Sequence, residues 1–216
     1  MTTIARRELA TRQTAWANRL AAALAQAGVR PNTVSLASIV WAAAAAAAFL
    51  SMPGAAAPER AALAIAAAAA IQLRLLCNML DGMLAVEEGL HTKTGALYNE
   101  IPDRVADVMI LAGAGYSIAA VPGGVAIGWL AAVAALFTAY VRQLGGALTG
   151  TEHFIGPMAK PHRMFALTVA SVLSAAEAML GLPLRAMPAA LVVITAGSAA
   201  TAWRRLSHIT ADLEDK

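Results

Sequence analysis

The stretch CNMLDGMLAVEEGLHTKTGALYNEIPDRVAD, residues 77–107, begins inside one apolar segment and ends just before another. Its acidic side chains include Asp81, Glu100, Asp103 and Asp107. Ionisable groups at membrane depth are costly, by about 2.5–3.5 kcal/mol at a helix centre, and they usually face an internal polar cavity. We therefore expect this stretch to determine both how the chain folds and what chemistry it performs.

The composition of the chain favours a membrane protein. Of its 216 residues, 59% are hydrophobic and 13% are charged, whereas soluble domains usually contain about 45–50% apolar and about 25% charged residues. Three long intervals contain no charge, and each is close to or above the roughly 20 residues that a spanning helix needs: 31–58, 108–141 and 186–203. Because much of the excess is alanine, a soluble alanine-rich helical bundle stays open as an alternative.

The apolar runs and the Pro/Gly-rich turns between them predict an all-α, polytopic membrane protein with six transmembrane helices. We place these spans at about 33–52, 60–84, 99–121, 124–147, 162–181 and 187–206. The predicted organisation is an N-terminal interfacial helix within 1–30, a six-helix transmembrane domain over 31–207 and a polar C-terminal tail over 208–216.

The N-terminal segment predicts an amphipathic helix over about 5–27. Leu9, Trp16, Leu20 and Leu24 recur at steps of four or seven residues, and basic side chains occupy another face. This pattern is typical of a helix that lies in the headgroup plane, although a soluble amphipathic helix would show it too. The early arginines and the lack of a short apolar core argue against a signal peptide.

The distribution of basic residues predicts the orientation. With six spans, one side of the membrane holds Arg6, Arg7, Arg12, Arg19, Arg30, Lys93, Arg104, Lys160, Arg163, Arg204, Arg205 and Lys216, and the other holds Arg60 and Arg185. The positive-inside rule then places both termini and the acidic stretch in the cytoplasm. No basic stripe with interleaved aromatic residues accompanies this charge, so we do not expect nucleic-acid binding.

Polar residues form one face on each of two consecutive predicted helices. The second helix carries Arg74, Asn78 and Asp81, and the third carries Asn99, Asp103 and Asp107 with Glu100 beside them. Spacings of three and four residues place such groups on one helix face, so the two faces can converge on a pocket. Carboxylate and amide oxygens without clustered His or Cys favour Mg²⁺, Mn²⁺ or Ca²⁺ over zinc. Structural ion pairs, such as Asp107 with Arg74, are the simpler alternative.

The spacing of these residues resembles the signature of the CDP-alcohol phosphatidyltransferases, D-x2-D-G-x2-A-R-x8-G-x3-D-x3-D. Five of its eight positions are identical here, and the matching residues are Asn78, Asp81, Gly82, Ala85, Val86, Gly95, Asn99 and Asp103. The predicted six-span layout with a preceding interfacial helix also fits that family. The chain is therefore identified as resembling a divergent bacterial branch of these integral membrane enzymes.

The resemblance implies a set of metal ligands and a catalytic residue. Asp81 and Asp103 would bind Mg²⁺ or Mn²⁺, and Asn78 and Asn99 would occupy two further ligand positions. Asp103 would also be the general base for the acceptor hydroxyl. The resemblance further implies contacts with the nucleotide of the donor from Asn32, Gly82, Ala85 and Gly95.

The chain departs from the family signature at three positions. Asparagine replaces two aspartates and Val86 replaces the arginine, so the matched positions supply a charge of −2 where the family has −4. Glu100 and Asp107 lie close enough in sequence to act as accessory ligands or to support the ligands. The departures leave open a catalytically degenerate relative that binds metal or CDP-lipid without transfer.

Basic residues near the predicted cytoplasmic face are candidates for phosphate or acceptor binding. Arg142 lies within the fourth span, where a guanidinium needs an anionic partner. Lys160 and Arg163 belong to the loop GPMAKPHR, residues 156–163, which enters the fifth span. Ordinary positive-inside charge would also explain Lys160 and Arg163.

The resemblance implies a transferase of phospholipid biosynthesis in the bacterial inner membrane, with its active site in the cytoplasm. It would move a phosphatidyl or similar substituted phosphoryl group from a CDP-diacylglycerol-like donor to an alcohol and release CMP. Family members are commonly homodimers, so we expect a homodimer among membrane lipids. A small transporter is a further alternative, but the polar residues cluster at one membrane face and no pair of broken helices lies at the midplane.

Overall fold

The computed structural model describes residues 14–90 and 94–214 of the chain. These residues form seven helices: α1 Ala15–Gln26, α2 Pro31–Leu50, α3 Ala57–Val86, α4 Gly95–Ser117, α5 Gly124–Thr149, α6 Lys160–Met179 and α7 Ala186–Glu214. Within the described ranges no residue is in a strand, so the all-α prediction is confirmed. Each of the six predicted spans falls on one of the helices α2 to α7.

Several helix ends follow from local sequence. Proline stands in the first turn of α2, α3 and α6, where its missing N–H is not needed for a helical hydrogen bond. Gly123 and Gly150 flank α5 with positive φ angles of 76° and 80°, a conformation that glycine adopts without steric penalty. The last helix is longer than predicted, because α7 continues to Glu214 through most of the expected polar tail.

The helices α2 to α7 pack in a closed ring. Each makes its most extensive contacts with two neighbours, in the order α2, α3, α6, α7, α5, α4 and back to α2, and α4 also touches α3 and α7. Consecutive helices are antiparallel, since Ser35 early in α2 contacts Asp81 late in α3, and Glu100 early in α4 contacts Arg142 late in α5. The beginnings of α2, α4 and α6 therefore meet the ends of α3 and α5 at one end of the ring.

Close approach between helices depends on small residues. A Cβ atom added at Gly128 of α5 would lie 2.5 Å from the Cα atom of Gly115 in α4, and one added at Gly113 would lie 3.0 Å from the Cα atom of Ala46 in α2. The core itself is built largely of alanine with a few larger residues such as Phe49 and Ile71. Small side chains at these crossings let α4 fit tightly between α2 and α5.

Four of the described helices, α2, α3, α5 and α7, are long and apolar enough to cross a membrane. The chain is accordingly a multi-pass membrane protein. The helices α4 and α6 are not apolar enough to be counted with these four. Charged residues lie in the first half of α4 and at the beginning of α6: Glu100, Asp103, Arg104 and Asp107 in α4, and Lys160 and Arg163 in α6. Both nevertheless complete the ring.

The described part of the predicted N-terminal helix is α1, and residues 1–13 lie outside the described ranges. Ala17 and Ala21 of α1 are fully buried against a cluster that includes Met83 and Leu84 of α3. Leu20 and Leu24 are partly buried against that cluster, as the predicted apolar face requires. Trp16 was placed on the same face, but its side chain is 52% exposed.

Candidate functional site

A polar cavity of about 250 Å³ opens at the end of the ring where α3 and α5 end and α4 and α6 begin. Seven of the residues predicted from the sequence line it: Asn78, Asn99, Glu100, Asp103, Arg142, Lys160 and Arg163. The polar faces of α3 and α4 thus meet at this cavity through Asn78, Asn99 and Asp103, whereas Asp81 and Asp107 do not line it. Basic residues from α5, α6 and α7 add to this cavity.

Asp103 lies at the centre of the polar contacts and is 8% exposed. Its Oδ1 atom accepts a hydrogen bond from the Asn78 side-chain amide and lies 3.4 Å from Nη2 of Arg74. Its Oδ2 atom accepts a 2.5 Å hydrogen bond from Nζ of Lys160 and lies 3.6 Å from Nη2 of Arg104. Three different helices therefore determine the orientation of one carboxylate.

Asp107 lies one turn further along α4 and is fully enclosed by two arginines. Its Oδ1 atom is 2.7 Å from Nη2 of Arg74, and its Oδ2 atom is 3.0 Å from Nη2 of Arg163. All three side chains are at most 2% exposed. This geometry is the structural ion pair that the sequence left open as an alternative, extended by the second arginine.

Asp81 faces a different partner from Asp103. Its Oδ2 atom accepts a 2.6 Å hydrogen bond from the hydroxyl of Ser35 in α2, and the residue is 5% exposed. Asn78 lies one turn before Asp81 on α3 and donates to Asp103 on α4. Asn78 thus contacts the Asp103 carboxylate, whereas the Asp81 carboxylate contacts α2.

Glu100 and Arg142 form the outer rim of the cavity. Nη2 of Arg142 is 2.6 Å from Oε1 of Glu100, and its Nη1 is 3.1 Å from Oε2 of Glu152. The Arg142 guanidinium also lies over the Phe154 ring, 5.2 Å from its centroid, a favourable cation–π distance. The anionic partner expected for Arg142 is therefore provided by the chain itself.

The residues expected near the nucleotide surround the same helix ends but do not line the cavity. Asn32 is in the first turn of α2, three residues before Ser35. Gly82 and Ala85 follow Asp81 in the last turns of α3, and Gly95 is the first residue of α4. All four are partly exposed, so they remain accessible at this end of the ring.

Two residues at the site were not predicted from the sequence. Ser35 was not among the predicted site residues, and its contact with Asp81 depends on the packing of α2 on α3. Arg205 was counted only as flanking charge, yet it is buried, with Nε donating to the Ile155 carbonyl and Nη1 to the Thr138 carbonyl. The signal available in the sequence was the position of Arg205 inside the predicted sixth span, where a charged side chain needs polar partners.

The side-chain oxygens at this site satisfy only part of what a divalent cation needs as ligands. Asp81 and Asp103, with the side-chain oxygens of Asn78 and Asn99, are hard oxygen donors of the kind that Mg²⁺ and Mn²⁺ prefer. Among residues 14–90 and 94–214, however, no three acidic, His or Cys side chains form a group that could hold a metal ion. Any cation here would depend on two carboxylates and on oxygens from a bound phosphate.

An apolar groove of about 500 Å³ lies beside the cavity, between α4 and α5. Glu100, Arg104 and Ala139 line both the groove and the cavity, so the two lie side by side. The remaining groove residues are mostly apolar and include Ile101, Val133, Leu136 and Phe137. The site thus combines a charged compartment with an apolar one.

No family model matches the chain, and no curated protein matches its sequence. Solved structures do match its fold. Phosphatidylinositol phosphate synthase PgsA1 of Mycobacterium tuberculosis with CDP-DAG bound matches at 21% identity and a TM-score of 0.72, over 89% of this chain and 92% of that one.

Two further structures of the same enzyme match as well. Its complex with manganese and citrate is 21% identical with a TM-score of 0.71, covering 89% of this chain and 88% of that one. The apo form is 22% identical with a TM-score of 0.68, covering 88% and 94%. PgsA1 is a CDP-alcohol phosphatidyltransferase, so the resemblance inferred from the motif is confirmed at the level of the fold.

Proposed function

We propose that the chain is a CDP-alcohol phosphatidyltransferase. It moves a phosphatidyl or similar substituted phosphoryl group from a CDP-diacylglycerol-like donor to an alcohol and releases CMP, as a step of phospholipid biosynthesis. The observation that carries this proposal is the convergence of Asn78, Asp103 and Lys160, from three helices, on one polar cavity that lies beside an apolar groove.

The cavity and groove together suit an amphipathic substrate. A nucleotide diphosphate would lie among the basic side chains of the cavity, and the lipid part would remain on the apolar side. Arginine is well suited to bidentate phosphate contacts and lysine acts as a mobile point charge. Support also comes from the shared fold, since one matching structure contains CDP-DAG and another contains manganese.

The residues take roles that follow from their positions. Arg142, Lys160 and Arg163 bind phosphate oxygens of the donor or the acceptor, and Asn32, Gly82, Ala85 and Gly95 border the nucleotide. Asp81, Asp103, Asn78 and Asn99 hold Mg²⁺ or Mn²⁺, with Glu100 and Asp107 as supporting anions. When bound, such a cation neutralises the diphosphate and polarises the phosphoryl group under attack.

Asp103 acts as the general base of the transfer. The acceptor oxygen forms a bond to the β-phosphorus, its proton passes to the Asp103 carboxylate, and the bond from that phosphorus to the bridging oxygen breaks. CMP leaves with the electron pair of that bond. A base must lie within hydrogen-bond reach of the proton it removes, and the contacts from Asn78 and Lys160 orient the carboxylate towards the cavity.

We place six spans in the bacterial inner membrane, with α4 and α6 crossing beside the four apolar helices. Both termini and the cavity face the cytoplasm, as the positive-inside rule requires. We also propose that the protein is a homodimer, which light scattering of the detergent-purified protein would test. A mass of one chain per particle would contradict it.

The transferase proposal is tested by CMP release. Membranes containing the wild-type protein, supplied with CDP-diacylglycerol, Mn²⁺ and a panel of alcohols, should release CMP. Asp81→Ala and Asp103→Ala should each reduce the rate by at least about 100-fold, the lower range for a lost acid–base group. Asp212→Ala is the control, because neither Asp212 nor its partner His153 lines the cavity. Unchanged turnover in either site variant would contradict the mechanism.

A binding protein without transferase activity is the second candidate. It is favoured by the neutral residues Asn78 and Asn99 and by the arginine partners that already engage Asp107 and Glu100. Tight binding of CDP-diacylglycerol without CMP release, across all alcohols tested, would establish it in place of the transferase.

A further inference from the structure

We infer that Thr201 of α7 is a positioning residue for Lys160. It acts through the α5–α6 loop, residues 150–159, which it holds at the rim of the cavity. The inference rests on the proposed function, in which Lys160 binds phosphate oxygens of the donor or the acceptor. It adds a determinant of donor affinity on α7, a helix that contributes no residue of the motif.

The α5–α6 loop forms one wall of the cavity and leads directly into α6. Phe154 and Ala159 of the loop line the cavity, and Lys160 is the first residue of α6. The Ala159 carbonyl accepts the first backbone hydrogen bonds of α6, from the N–H groups of His162 and Arg163. The position of the loop therefore decides where α6 begins and from which point the side chain of Lys160 extends.

Three successive turns of α7 contact this loop. Gly197, Thr201 and Arg205 are spaced by four residues, so they lie on one face of α7. Nε of Arg205 donates to the Ile155 carbonyl at 3.0 Å. A Cβ atom added at Gly197 would lie 2.9 Å from the Cβ atom of Met158. The loop is therefore packed along α7, with its backbone close to the helix.

Thr201 makes the central contact between α7 and the loop. Its hydroxyl group accepts a 2.9 Å hydrogen bond from the Met158 N–H and donates a 2.7 Å hydrogen bond to the Gly197 carbonyl within α7. Its methyl group lies against Gly156, where an added Cβ atom would be 2.4 Å from Cγ2 of Thr201. Thr201 is fully buried. It therefore holds the loop backbone both by a hydrogen bond and by close packing.

Met158 connects Thr201 to the basic residues of the cavity. Its N–H group donates to Thr201, and its carbonyl accepts a 2.9 Å hydrogen bond from Nη1 of Arg163. Nζ of Lys160 lies 2.5 Å from Oδ2 of Asp103. Because α6 begins two residues after Met158, a shift of the loop caused by loss of the Thr201 hydroxyl would move both basic side chains.

Thr201 is the residue at which positioning can be separated from direct contact with a substrate. Arg205 lines the cavity, so its loss would combine both effects, whereas Thr201 does not line it. Thr201→Val keeps the shape of the side chain but leaves the buried Met158 N–H without its acceptor, and a buried donor without a partner is costly. Thr201→Ser keeps the hydroxyl group and is the conservative variant.

The first measurement is hydrogen–deuterium exchange of the purified full-length protein in detergent, without any ligand. Thr201→Val should speed exchange in the loop peptide that contains Met158 by about tenfold, whereas Thr201→Ser should resemble the wild type. Thr195→Val is the matched control, because the Thr195 hydroxyl donates to the Leu191 carbonyl of α7 and, within the described ranges, makes no hydrogen bond to the loop. Unchanged exchange in Thr201→Val would overturn the inference.

The second measurement is a calorimetric titration with dioctanoyl CDP-diacylglycerol. Thr201→Val and Lys160→Met should each weaken binding by about tenfold, and Thr201→Ser should keep the wild-type affinity. The double variant Thr201→Val/Lys160→Met should lose clearly less than the product of the two separate losses, because residues that act through one another are not additive. A loss equal to the product, or no loss in Thr201→Val, would overturn the positioning role, since a purely structural contact would act independently of Lys160.

Failure of this inference is distinguishable from failure of the proposed function. Coupled losses of binding in a protein that releases no CMP would support the role of Thr201 and contradict the transferase. Release of CMP together with independent losses would support the transferase and overturn the role of Thr201. A wild-type protein that binds no CDP-diacylglycerol would contradict both.

Discussion

Asp103 and Asp107 lie on the same face of α4, one turn apart, yet they have different environments. Asp103 borders the cavity and accepts hydrogen bonds from an amide and an ammonium group. Asp107 is sealed between Arg74 and Arg163, away from the cavity. The first carboxylate is therefore placed for chemistry and the second for holding α3, α4 and α6 together.

Removing the charge of Asp107 should destabilise the fold. Asp107→Asn removes the anion that pairs with the buried Arg163 and leaves the buried Arg74 only its longer contact with Asp103. Breaking a buried ion pair in this way commonly costs about 3–5 kcal/mol. Thermal unfolding in detergent should show a large decrease in melting temperature. Asp212→Asn, at a partly exposed pair with His153, should change the melting temperature little. Equal melting temperatures for the two variants would refute the structural role of Asp107.

The Ser35 hydroxyl should matter for the site, although the sequence did not single it out. Ser35→Ala removes the 2.6 Å hydrogen bond to Asp81, and hydrogen bonds to charged groups contribute about 1.5–3 kcal/mol. We expect Mn²⁺ affinity and CMP release to fall by about tenfold or more. Ser38→Ala is the matched control, because Ser38 is also buried in α2 but donates only to the Ser35 carbonyl. The same loss in both variants would contradict a specific role for Ser35.

At the scale of elements, α4 combines a charged first half with a small-residue second half. The charged half provides the acidic residues of the cavity, and the second half crosses α5 where Gly115 meets Gly128. The close packing at this crossing offsets part of the cost of placing the polar residues of α4 in a bilayer, because it contributes favourable van der Waals contact. Stability and site geometry therefore depend on the same helix.

Crowding of the α4–α5 crossing should destabilise the protein. Gly128→Ala places a Cβ atom 2.5 Å from the Cα of Gly115, so the helices must separate. Overpacking of this kind typically costs about 1–3 kcal/mol. Gly113→Ala, where the nearest atom is the Cα of Ala46 at 3.0 Å, should show a smaller decrease in melting temperature. No decrease for Gly128→Ala would contradict this packing.

At the scale of the whole molecule, the closed ring brings together residues that are far apart in sequence. The helices α4 and α6 are not adjacent in the ring order, yet Lys160 and Arg163 of α6 reach Asp103 and Asp107 of α4. Long basic side chains cross the interior, and the ring leaves a cavity at the end where they meet.

The predicted topology can be tested by labelling single cysteines in whole cells with an impermeant maleimide. In a Cys77→Ser background, six spans with cytoplasmic termini predict labelling of Ala55→Cys, Ala119→Cys and Leu182→Cys. The same arrangement predicts protection of Glu88→Cys and Thr151→Cys until the cells are permeabilised. Protection of Ala119→Cys would contradict a crossing by α4, and the reverse pattern would contradict the orientation.

The sequence alone was sufficient to predict the helices, and it supplied the residues of the candidate site. Uncharged runs and Pro/Gly turns predicted the six helices of the ring within a few residues at most ends, because hydrophobic length and backbone geometry are local properties. The family motif placed Asn78, Asp81, Asn99 and Asp103 on two helices that do meet. Two predictions were wrong: α7 continues to Glu214 beyond its predicted end, and Trp16 is exposed although it was placed on the apolar face of α1. In both places the polarity of the local sequence did not determine the structure.

Only the tertiary structure decided which cation each carboxylate contacts. The sequence contains an excess of basic residues near the acidic motif, but the pairing of Asp107 with two arginines and of Asp103 with Lys160 follows from the order of helices in the ring. Electrostatic partners are set by distances of a few ångströms through a medium of low polarity. Such distances arise from the packing of α3, α4 and α6, which no local pattern in the chain encodes.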